Sequence, residues 1–350
     1  METETLIIGG GLSGLSLGSQ LAAKGENFLI VEARERLGGR ILTDRVAGSC
    51  FDLGPAWFWP GQPRIAALSE ELNLTWFEQY AHGAHCFEDE RGVVQRGRGF
   101  ASMQGSYRLK GGLGALIERL SQAVKAEKIC LNTPVNAITK TEIGIQAATQ
   151  NGEVISAHRC VLALPPRIAA TLSFVPVLQE PAIRAMTGIA TWMAGQAKAV
   201  AIYDRPFWRE AGFSGDAMSH FGPMVEIHDA TPFEEQIYAL FGFIGVPAQA
   251  RMDERELRQQ IVAQLARVFG PLAAEPIELL IKDWAFDPYT STELDLQPLR
   301  AHPRYGLPQV LSGLWGDRLV FAGTEVAPQY GGYLEGALEA AENALQYLKK

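Results

Sequence analysis

Glycines near the start of the chain are spaced so that they can hold a phosphate group. Residues 9–14 read GGGLSG and match the pattern GxGxxG. In this pattern Gly9 permits a tight turn, Gly11 lets the backbone approach a pyrophosphate, and Gly14 lets the next helix pack closely on its strand. The carboxylate of Glu32, 18 residues beyond Gly14, can accept hydrogen bonds from ribose hydroxyls. The spacing predicts dinucleotide binding, and by itself it does not separate NAD from FAD.

A lysine within an apolar run is a second candidate for chemistry. Lys198 stands among Ala197, Ala199 and Val200, and burial of its ammonium group without a partner would be costly. One interpretation is an active-site lysine whose pKa is shifted by its surroundings. The other is a half-buried strand from which Lys198 faces solvent. The neighbouring residues leave both interpretations open.

The elements that must position these residues can be read from the apolar runs. Residues 5–8 and 28–31 are short apolar runs of the kind buried in parallel sheets. Residues 15–24 have helical composition and end at Gly25, so a βαβ unit is predicted around the glycine pattern. Further strands are predicted at 160–164, 198–203 and 319–322, and further helices at 113–124, 257–268 and 334–348.

Composition limits the class of protein. The chain has 350 residues with 47% apolar and 20% charged side chains, which is ordinary globular usage and long enough for two domains. The net charge of −8 argues against a nucleic-acid partner. Four separated cysteines without a CxxC pair favour a reduced, cytoplasmic protein. The first apolar run is too short to cross a bilayer, and no signal peptide or membrane partner is expected.

One short stretch of the sequence contains several side chains of the types that bind metals. His82, His85 and Cys86 form an HxxHC sequence. A zinc site requires about four ligands, and no second cluster lies nearby in the sequence. No metal site is therefore predicted.

Longer motifs resemble the flavin-dependent amine oxidase family, in the family's order along almost the whole chain. EARERLGGR at 32–40 is similar to a second FAD fingerprint, and FAGTE at 321–325 followed by GYLEGA at 332–337 is the most specific match. Residues 60–110 and 209–250 match poorly. The other matching segments are DLG at 52–54, PVNAI at 134–138, VLALPP at 161–166, KAVAIYDRPFW at 198–208, and the DW and DPY segments within 283–289.

The resemblance implies an α/β fold with the amine oxidase-like two-domain architecture. A Rossmann-like FAD-binding domain would comprise residues 1–57, 105–168 and 285–350. A substrate-binding domain with a mixed sheet would be inserted as residues 58–104 and 169–284.

The resemblance also implies a set of cofactor-binding residues. Arg40 would bond a flavin phosphate, Glu325 the ribityl chain, and the backbone of Val135 the adenine. Glu293 stands where some relatives carry a cysteine that binds FAD covalently, so non-covalent FAD is expected. The helix that starts near Leu334 would direct its positive end at the flavin. The cofactor-binding residues implied are Gly9, Gly11, Ser13, Gly14, Glu32, Arg34, Gly39, Arg40, Val135, Trp284, Gly323, Glu325, Gly332 and Leu334.

Two residues are implied to act in catalysis. In the family, the lysine matched by Lys198 holds a water against flavin N5, which favours the active-site interpretation. Tyr333 would form one wall of an aromatic cage for the amine. Leu294 stands where the family usually has the second aromatic wall, and Trp57 could line the pocket or belong to the core. The residues predicted to contact substrate are Trp57, Tyr289, Leu294 and Tyr330.

The predicted activity is FAD-dependent oxidation of a small-molecule amine to an imine. A hydride would pass to flavin N5, and molecular oxygen would accept the electrons to give hydrogen peroxide. An alternative is an FAD-dependent dehydrogenase or desaturase that acts on a non-amine and uses another acceptor; Leu294 favours it and Lys198 disfavours it. A third is a flavin-binding protein without catalysis. The sequence predicts neither the substrate's identity nor an oligomeric state.

Overall fold

The computed structural model describes residues 1–297, 299 and 301–349. The strands are β1 (Glu2–Ile8), β2 (Phe28–Val31), β3 (Thr43–Val46), β4 (Ser49–Asp52), β5 (Trp76–Glu78), β6 (Ala84–Glu88), β7 (Val94–Arg96), β8 (Tyr107–Leu109), β9 (Ile129–Cys130), β10 (Val135–Lys140), β11 (Ile145–Thr149), β12 (Val154–Leu162), β13 (Ser173–Val175), β14 (Ala197–Tyr203), β15 (Phe213–Ser219), β16 (Met224–Asp229), β17 (Tyr238–Ile244), β18 (Glu278–Asp283) and β19 (Leu319–Phe321). The helices are α1 (Leu12–Ala23), α2 (Pro63–Glu71), α3 (Gly112–Gln122), α4 (Pro166–Ala169), α5 (Glu180–Gly188), α6 (Phe207–Glu210), α7 (Glu254–Phe269) and α8 (Leu334–Leu348).

The start of the chain forms the predicted βαβ unit. β1 and β2 pair in parallel, with Leu6 opposite Leu29, and α1 connects them. The helix ends at Ala23, and Gly25 follows with a φ of +70°. Glycine adopts this left-handed conformation without the steric cost of a Cβ atom, so the predicted stop is confirmed.

The first sheet extends this unit in both directions. Its strand order is β13-β10-β11-β12-β1-β2-β9, and β19 pairs in parallel with β12 outside that path. Helices α1, α3 and α8 cover one face, and α4 and α5 cover the other. Parallel strands with helices on both faces read as continuous apolar runs, which is why the sequence revealed them.

A second sheet is built from later parts of the chain. Its order in the described residues is β18-β14-β17-β16-β15-β6-β7, with mostly antiparallel pairs and one parallel pair between β15 and β6. On β14, Ala199 and Ala201 point to the face packed on α7, and Val200 and Ile202 point to the opposite face. Lys198 lies two residues before Val200, so its side chain points to the same face of β14, away from α7.

Two segments do not follow the predicted domain boundaries. Ile65 of α2, within 58–104, is buried in the core cluster that covers one face of the first sheet, and a later segment pairs with that sheet. β13 pairs with β10 of the first sheet, with Ser173 opposite Ala137. Ala182 and Met186 of α5 are buried against the same sheet. Both elements fall within 169–284, the predicted substrate-binding segment, and strand pairing places them with the nucleotide-side sheet instead. No helix in the described part of the chain is long and apolar enough to cross a membrane.

Candidate active site

A cavity of about 580 Å³ lies where the first sheet meets the second, and we call it the central cavity. Residues that follow the carboxyl ends of β1, β2, β12 and β19 line it, which is where open α/β sheets bind ligands. The second sheet contributes Lys198, Glu226 and Phe243. The predicted site residues that line the cavity are Gly9, Gly11, Ser13, Glu32, Arg34, Gly39, Arg40, Trp57, Lys198, Trp284, Tyr289, Gly323, Gly332, Tyr333 and Leu334.

The N-terminus of α1 lies at this cavity without a side-chain cap. Gly11 is the N-cap residue, and the first turn contains no acidic side chain. The free N–H groups and the partial positive charge of the helix are therefore available to an anion. A Cβ atom at Gly14 would lie 1.9 Å from the carbonyl oxygen of Gly9, whereas at Gly11 it would meet nothing nearer than 3.8 Å. Gly14 is thus required by packing, and Gly11 leaves open space beside the cavity.

Glu32 is fixed at one end of the cavity. Its Oε2 accepts the N–H of Gly10 at 2.8 Å, and its Oε1 accepts the N–H of Arg34 at 3.0 Å. The remaining lone pairs can accept ribose hydroxyls. The Arg34 guanidinium pairs with Asp287, and its Cζ lies 5.2 Å from the centroid of the Tyr289 ring. Tyr289 therefore lines the cavity beside Arg34, and its contact with substrate stays a prediction.

Arg40 and Glu325 form an ion pair beside the cavity. Arg40 Nη1 lies 2.6 Å from Glu325 Oε1. Burial alone would lower the pKa of Arg40, but pairing with Glu325 raises it. Glu325 is fully buried, and its Oε2 has no hydrogen-bond partner among the described residues. An unpaired buried acceptor costs about 1–3 kcal/mol, so a hydroxyl donor fits this position.

These features together match the needs of FAD. The free helix N-terminus suits a pyrophosphate, Glu32 suits a ribose, and the orphaned Glu325 oxygen suits a ribityl hydroxyl. The volume of the cavity falls in the usual range for cofactor sites. The donor set and the cavity therefore fit this cofactor.

Lys198 lies inside the cavity, with only 5% of its surface exposed. Its Nζ donates a hydrogen bond to the carbonyl oxygen of Gly54 and lies 5.3 Å from the ring centroid of Phe243. Burial lowers the pKa of Lys198 to about 7, although the nearby carboxylate of Asp52 opposes the shift. The solvent-facing interpretation is thereby excluded, and this ammonium group can exchange its proton near neutral pH.

Tyr333 lies at the mouth of the same region and is 37% exposed. Its ring stacks on His302, with centroids 4.8 Å apart and an interplanar angle of 11°. Burial raises the pKa of the Tyr333 hydroxyl, so it stays protonated at neutral pH. Tyr333 is also the N-cap residue of α8, so this helix starts at the cavity.

Trp57 lines the cavity and also belongs to the core. It is nearly buried, its Nε1 donates to Gln79 Oε1 at 2.7 Å, and its ring packs edge-on against Phe241. Trp284 is held in a similar way, since its Nε1 donates to the carbonyl oxygen of Leu53 at 2.9 Å. Fixed indole rings give the cavity rigid walls.

Five predicted site residues do not line the cavity: Gly14 and Glu325, described above, and Leu294, Tyr330 and Val135. Leu294 is 60% exposed, because the 3₁₀ helix Glu293–Asp295 is anchored through Asp295 to Arg167 and turns the leucine outward. Tyr330 donates its hydroxyl to the carbonyl oxygen of Gly61, 2.8 Å away. These positions correct both predicted substrate contacts.

Val135 opens β10, where it pairs with Thr149, and its side chain packs against the core of the first sheet. Its contact with adenine stays a prediction. Leu294, which was expected to contact substrate, does not form a wall of the central cavity.

Sequence reasoning missed a buried polar cluster on the second sheet. Nδ1 of His228 lies 2.7 Å from Asp216 Oδ1, and Nε2 of His228 lies 3.0 Å from Glu226 Oε1. Glu226 lines the cavity. These residues fall in 209–250, where no motif or steady period draws attention to them. Trp192 also lines the cavity, and no matched motif includes it.

Comparisons with known proteins agree with this arrangement. The sequence profile of the family described as "Flavin containing amine oxidoreductase" matches residues 12–100 and 76–348. A protein of Dictyostelium discoideum named "Probable flavin-containing monoamine oxidase A" is 25% identical over 99% of this chain and 97% of its own length. An L-amino acid dehydrogenase of Synechocystis sp. is 24% identical over 97% of this chain and 93% of its own length. Wild-type putrescine oxidase bound to putrescine has the same fold, with a TM-score of 0.84, 20% identity and 100% coverage of both chains.

The chain is a two-domain flavoprotein oxidoreductase that acts on amines. It belongs to the flavin-containing amine oxidoreductase family. Its cofactor is FAD, and none of Cys50, Cys86, Cys130 and Cys160 lines the central cavity, as expected for non-covalent binding. The predicted family, fold class and cofactor are confirmed.

Proposed function

We propose that this enzyme oxidises a small-molecule amine to an imine, with molecular oxygen as acceptor and hydrogen peroxide as second product. The chemistry that bound FAD supplies is uptake of a hydride from the amine's α carbon, followed by reduction of oxygen. Water then hydrolyses the imine. The residues proposed to hold FAD are Gly9, Gly11, Ser13, Gly14, Glu32, Arg34, Gly39, Arg40, Val135, Trp284, Gly323, Glu325, Gly332 and Leu334.

The observation that supports molecular oxygen as the electron acceptor is the burial of Lys198 inside the cavity. The reduction of oxygen to hydrogen peroxide consumes protons. Lys198 Nζ can give and regain a proton near neutral pH, because burial lowers its pKa to about 7. Its hydrogen bond to Gly54 fixes the side chain, so the proton is held at a defined place.

Tyr333 is proposed to orient the amine. Its ring offers one face to the cavity, and the stack on His302 holds that ring in place. An aromatic face favours a nearby amine nitrogen. The partial positive charge at the start of α8 would stabilise negative charge that develops at this end of the cavity.

A second candidate is an amine dehydrogenase that passes its electrons to another acceptor. The similarity to a protein named L-amino acid dehydrogenase favours it. The burial of Lys198 in the cavity wall favours oxygen instead.

The experiment mixes the purified yellow protein with a panel of amines without oxygen and then admits air. We expect one class of amine to bleach the flavin absorbance, and air to restore it with one hydrogen peroxide formed for each flavin. Bleaching followed by slow recovery would replace oxygen with another acceptor. If dithionite bleaches the protein and no amine does, the amine oxidase proposal fails.

Lys198→Met provides the matched variant. It should bleach with the same amines, and its recovery in air should be at least about 100-fold slower, which is the usual scale for a lost proton-transfer group. Equal recovery rates would remove Lys198 from the oxygen reaction.

The domain division is also part of this proposal. We propose residues 1–57, 105–168 and 285–350 as the FAD-binding domain, joined by α2, β13 and α5 because of their packing and strand pairing. The rest of 58–104 and 169–284 would bind substrate. The cytoplasmic location stays a prediction.

A further inference from the structure

A second cavity, with a volume of about 530 Å³, lies at the start of α3, and we call it the side cavity. Gly111, Gly112 and Arg108 are among the residues that line it. Among the residues that the structure describes, none lines both the side cavity and the central cavity. Any passage between the two therefore has to run through the groups that lie behind their walls.

The carboxylate of Asp52 lies directly behind the wall of the side cavity. A Cβ atom at Gly112 would lie 2.8 Å from Asp52 Oδ1, so the bare backbone of this glycine covers the carboxylate. Oδ1 accepts the N–H of Leu113 at 3.0 Å and the hydroxyl of Thr43. The bond from Leu113 satisfies an N–H group in the first turn of α3. Asp52 thus has a structural role that an asparagine oxygen could also fill.

A third cavity, with a volume of about 10 Å³, lies beside Asp52, and we call it the small cavity. Asp52, Arg108, Trp57 and Phe241 are among the residues that line it. Arg108 also lines the side cavity, and Trp57 also lines the central cavity. About 10–15 Å³ holds one water if polar groups can bond it. Asp52 and Arg108 supply such groups, so the small cavity suits a water between the two larger cavities.

Lys198 lies next to the small cavity. Its Nζ is 5.8 Å from the ring centroid of Phe241, which lines that cavity. Nζ also donates to the carbonyl oxygen of Gly54, two residues beyond Asp52 in the chain. The negative charge of Asp52 opposes the lowering of the Lys198 pKa by burial, so the two charges interact.

The other charged groups around this pair are less suited to pass a proton to Lys198. Lys282 of β18 lies opposite Lys198, but its Nζ is bound to Asp287 Oδ2 at 3.0 Å. The guanidinium of Arg108 keeps its proton at ordinary pH. Asp52 is therefore the acid placed to exchange a proton with Lys198.

Burial brings the two groups into the same range of pH. It raises the pKa of Asp52 to about 6, although its hydrogen bonds and the charge of Arg108 oppose the shift. It lowers the pKa of Lys198 to about 7. Proton transfer between groups of similar pKa costs little free energy.

We propose that Asp52 returns a proton to Lys198 after each reduction of oxygen and takes that proton from the side cavity. An N–H bond of the Lys198 ammonium group first breaks as an O–H bond of hydrogen peroxide forms. The neutral lysine then takes the proton of the Asp52 carboxyl group through one water in the small cavity. The Asp52 carboxylate regains a proton from a buffer acid in the side cavity. The inference rests on the proposed use of oxygen, and Asp52 acts through Lys198.

The first test separates one reaction with oxygen from repeated turnover. Asp52→Asn keeps a hydrogen-bond acceptor at the start of α3 and cannot carry an acid proton. At about pH 6 Lys198 starts protonated, so air should reoxidise the dithionite-reduced variant holoenzyme once at a rate within about twofold of the wild type. Continuous turnover with an amine at the same pH should be at least about tenfold slower.

The matched control is Asp253→Asn, which removes the exposed carboxylate at the N-cap of α7 and should behave like the wild type in both measurements. Equal continuous turnover in Asp52→Asn and the wild type would overturn the proposal. A first reoxidation as slow as the turnover would also overturn it, because the defect would then precede any return of a proton.

A second variant tests the same role by chemical rescue. Asp52→Ser keeps a short side-chain acceptor and leaves room for a small molecule in place of the carboxyl group. Formate should raise the continuous turnover of this variant at least about tenfold, because it restores an acid that can carry a proton. Formamide has a similar shape without that acid and should have no effect. Rescue by both molecules or by neither would count against the proposal.

Urea unfolding of the full chain needs no turnover. Without the negative charge of Asp52, the neutral form of Lys198 is favoured and the folded pKa of Lys198 falls further. The unfolded state then binds the extra proton from a lower pH. The free energy of unfolding of Asp52→Asn, measured from pH 6 to pH 10, should therefore begin to rise at a lower pH than that of the wild type.

An unchanged onset of this rise would show that Asp52 does not act on Lys198, and the proposal would fail. If no amine bleaches the flavin, the proposed amine oxidation fails instead. The unfolding measurement distinguishes the two failures, because it depends on neither an amine nor oxygen.

Discussion

At the scale of single residues, burial turns an ordinary lysine into a group that titrates near neutral pH. Lys198 and Val200 point to the same face of β14 because side chains alternate along a strand. That face borders the central cavity, so the lysine loses most of its contact with water. The carboxylate of Asp52 offsets only part of the desolvation.

This burial predicts a pH-dependent stability. Folded Lys198 loses its proton near pH 7, whereas an unfolded lysine keeps it until about pH 10.5. Between these values the unfolded state binds one proton more, so the free energy of unfolding should rise with pH by up to about 1.4 kcal/mol per pH unit. Lys198→Met should lack this rise, as urea unfolding from pH 7 to pH 10 can measure. Parallel slopes in the two proteins would contradict a neutral lysine in the folded state.

At the scale of elements, Gly11 and Gly14 at the start of α1 are glycines for different physical reasons. Gly14 lies within the helix, where a Cβ atom would collide with the carbonyl oxygen of Gly9. Gly11 precedes the helix with a φ of −77°, which any residue can adopt. Packing thus requires Gly14, whereas Gly11 is proposed to let a ligand approach.

Alanine substitutions should separate the effect on packing from the effect on ligand binding. Gly11→Ala should fold with a melting temperature close to that of the wild type without FAD, and should bind FAD at least about tenfold more weakly, because its methyl group would occupy the space proposed for the pyrophosphate. Gly14→Ala should destabilise the protein itself by about 1–3 kcal/mol through overpacking. Thermal unfolding and FAD titration of both variants measure the two effects. Unchanged FAD affinity in Gly11→Ala would argue against this position for the pyrophosphate.

At the scale of the whole molecule, the central cavity lies between two sheets that are built from different parts of the chain. The first sheet supplies the N-terminus of α1 and the carboxylate of Glu32, which follow its parallel strands. The second sheet supplies Lys198, Phe243 and Glu226 from adjacent strands. A ligand in this cavity would therefore contact both sheets and stabilise their arrangement.

FAD should consequently raise the stability of the protein without a covalent bond. At a free concentration 100-fold above its Kd, a ligand that binds only the folded state adds about 2.7 kcal/mol. We expect a melting temperature several degrees higher with FAD than without it. Acid precipitation of the holoprotein should release all of the flavin into solution, and yellow colour retained in the pellet would show a covalent link.

The sequence revealed the parts of the site that consecutive residues build. The turn from β1 into α1, the acidic residue after β2 and the start of α8 each depend on backbone conformation over a few positions. Glycine spacing and apolar runs record such local requirements directly. Residues 209–250 resisted prediction because their strands bury side chains on both faces and interrupt the period with glycine and polar residues.

By itself, then, the sequence determined the nucleotide-binding unit, the FAD cofactor and the family, and it singled out Lys198 as a candidate. Only the tertiary structure decided that Glu226 shares a wall with Lys198, that His228 and Asp216 hold it, and that Leu294 faces outward. The physical reason is that strand pairing joins residues far apart in the chain. A shift of one residue in register would send each side chain to the opposite face, and no local pattern records that choice.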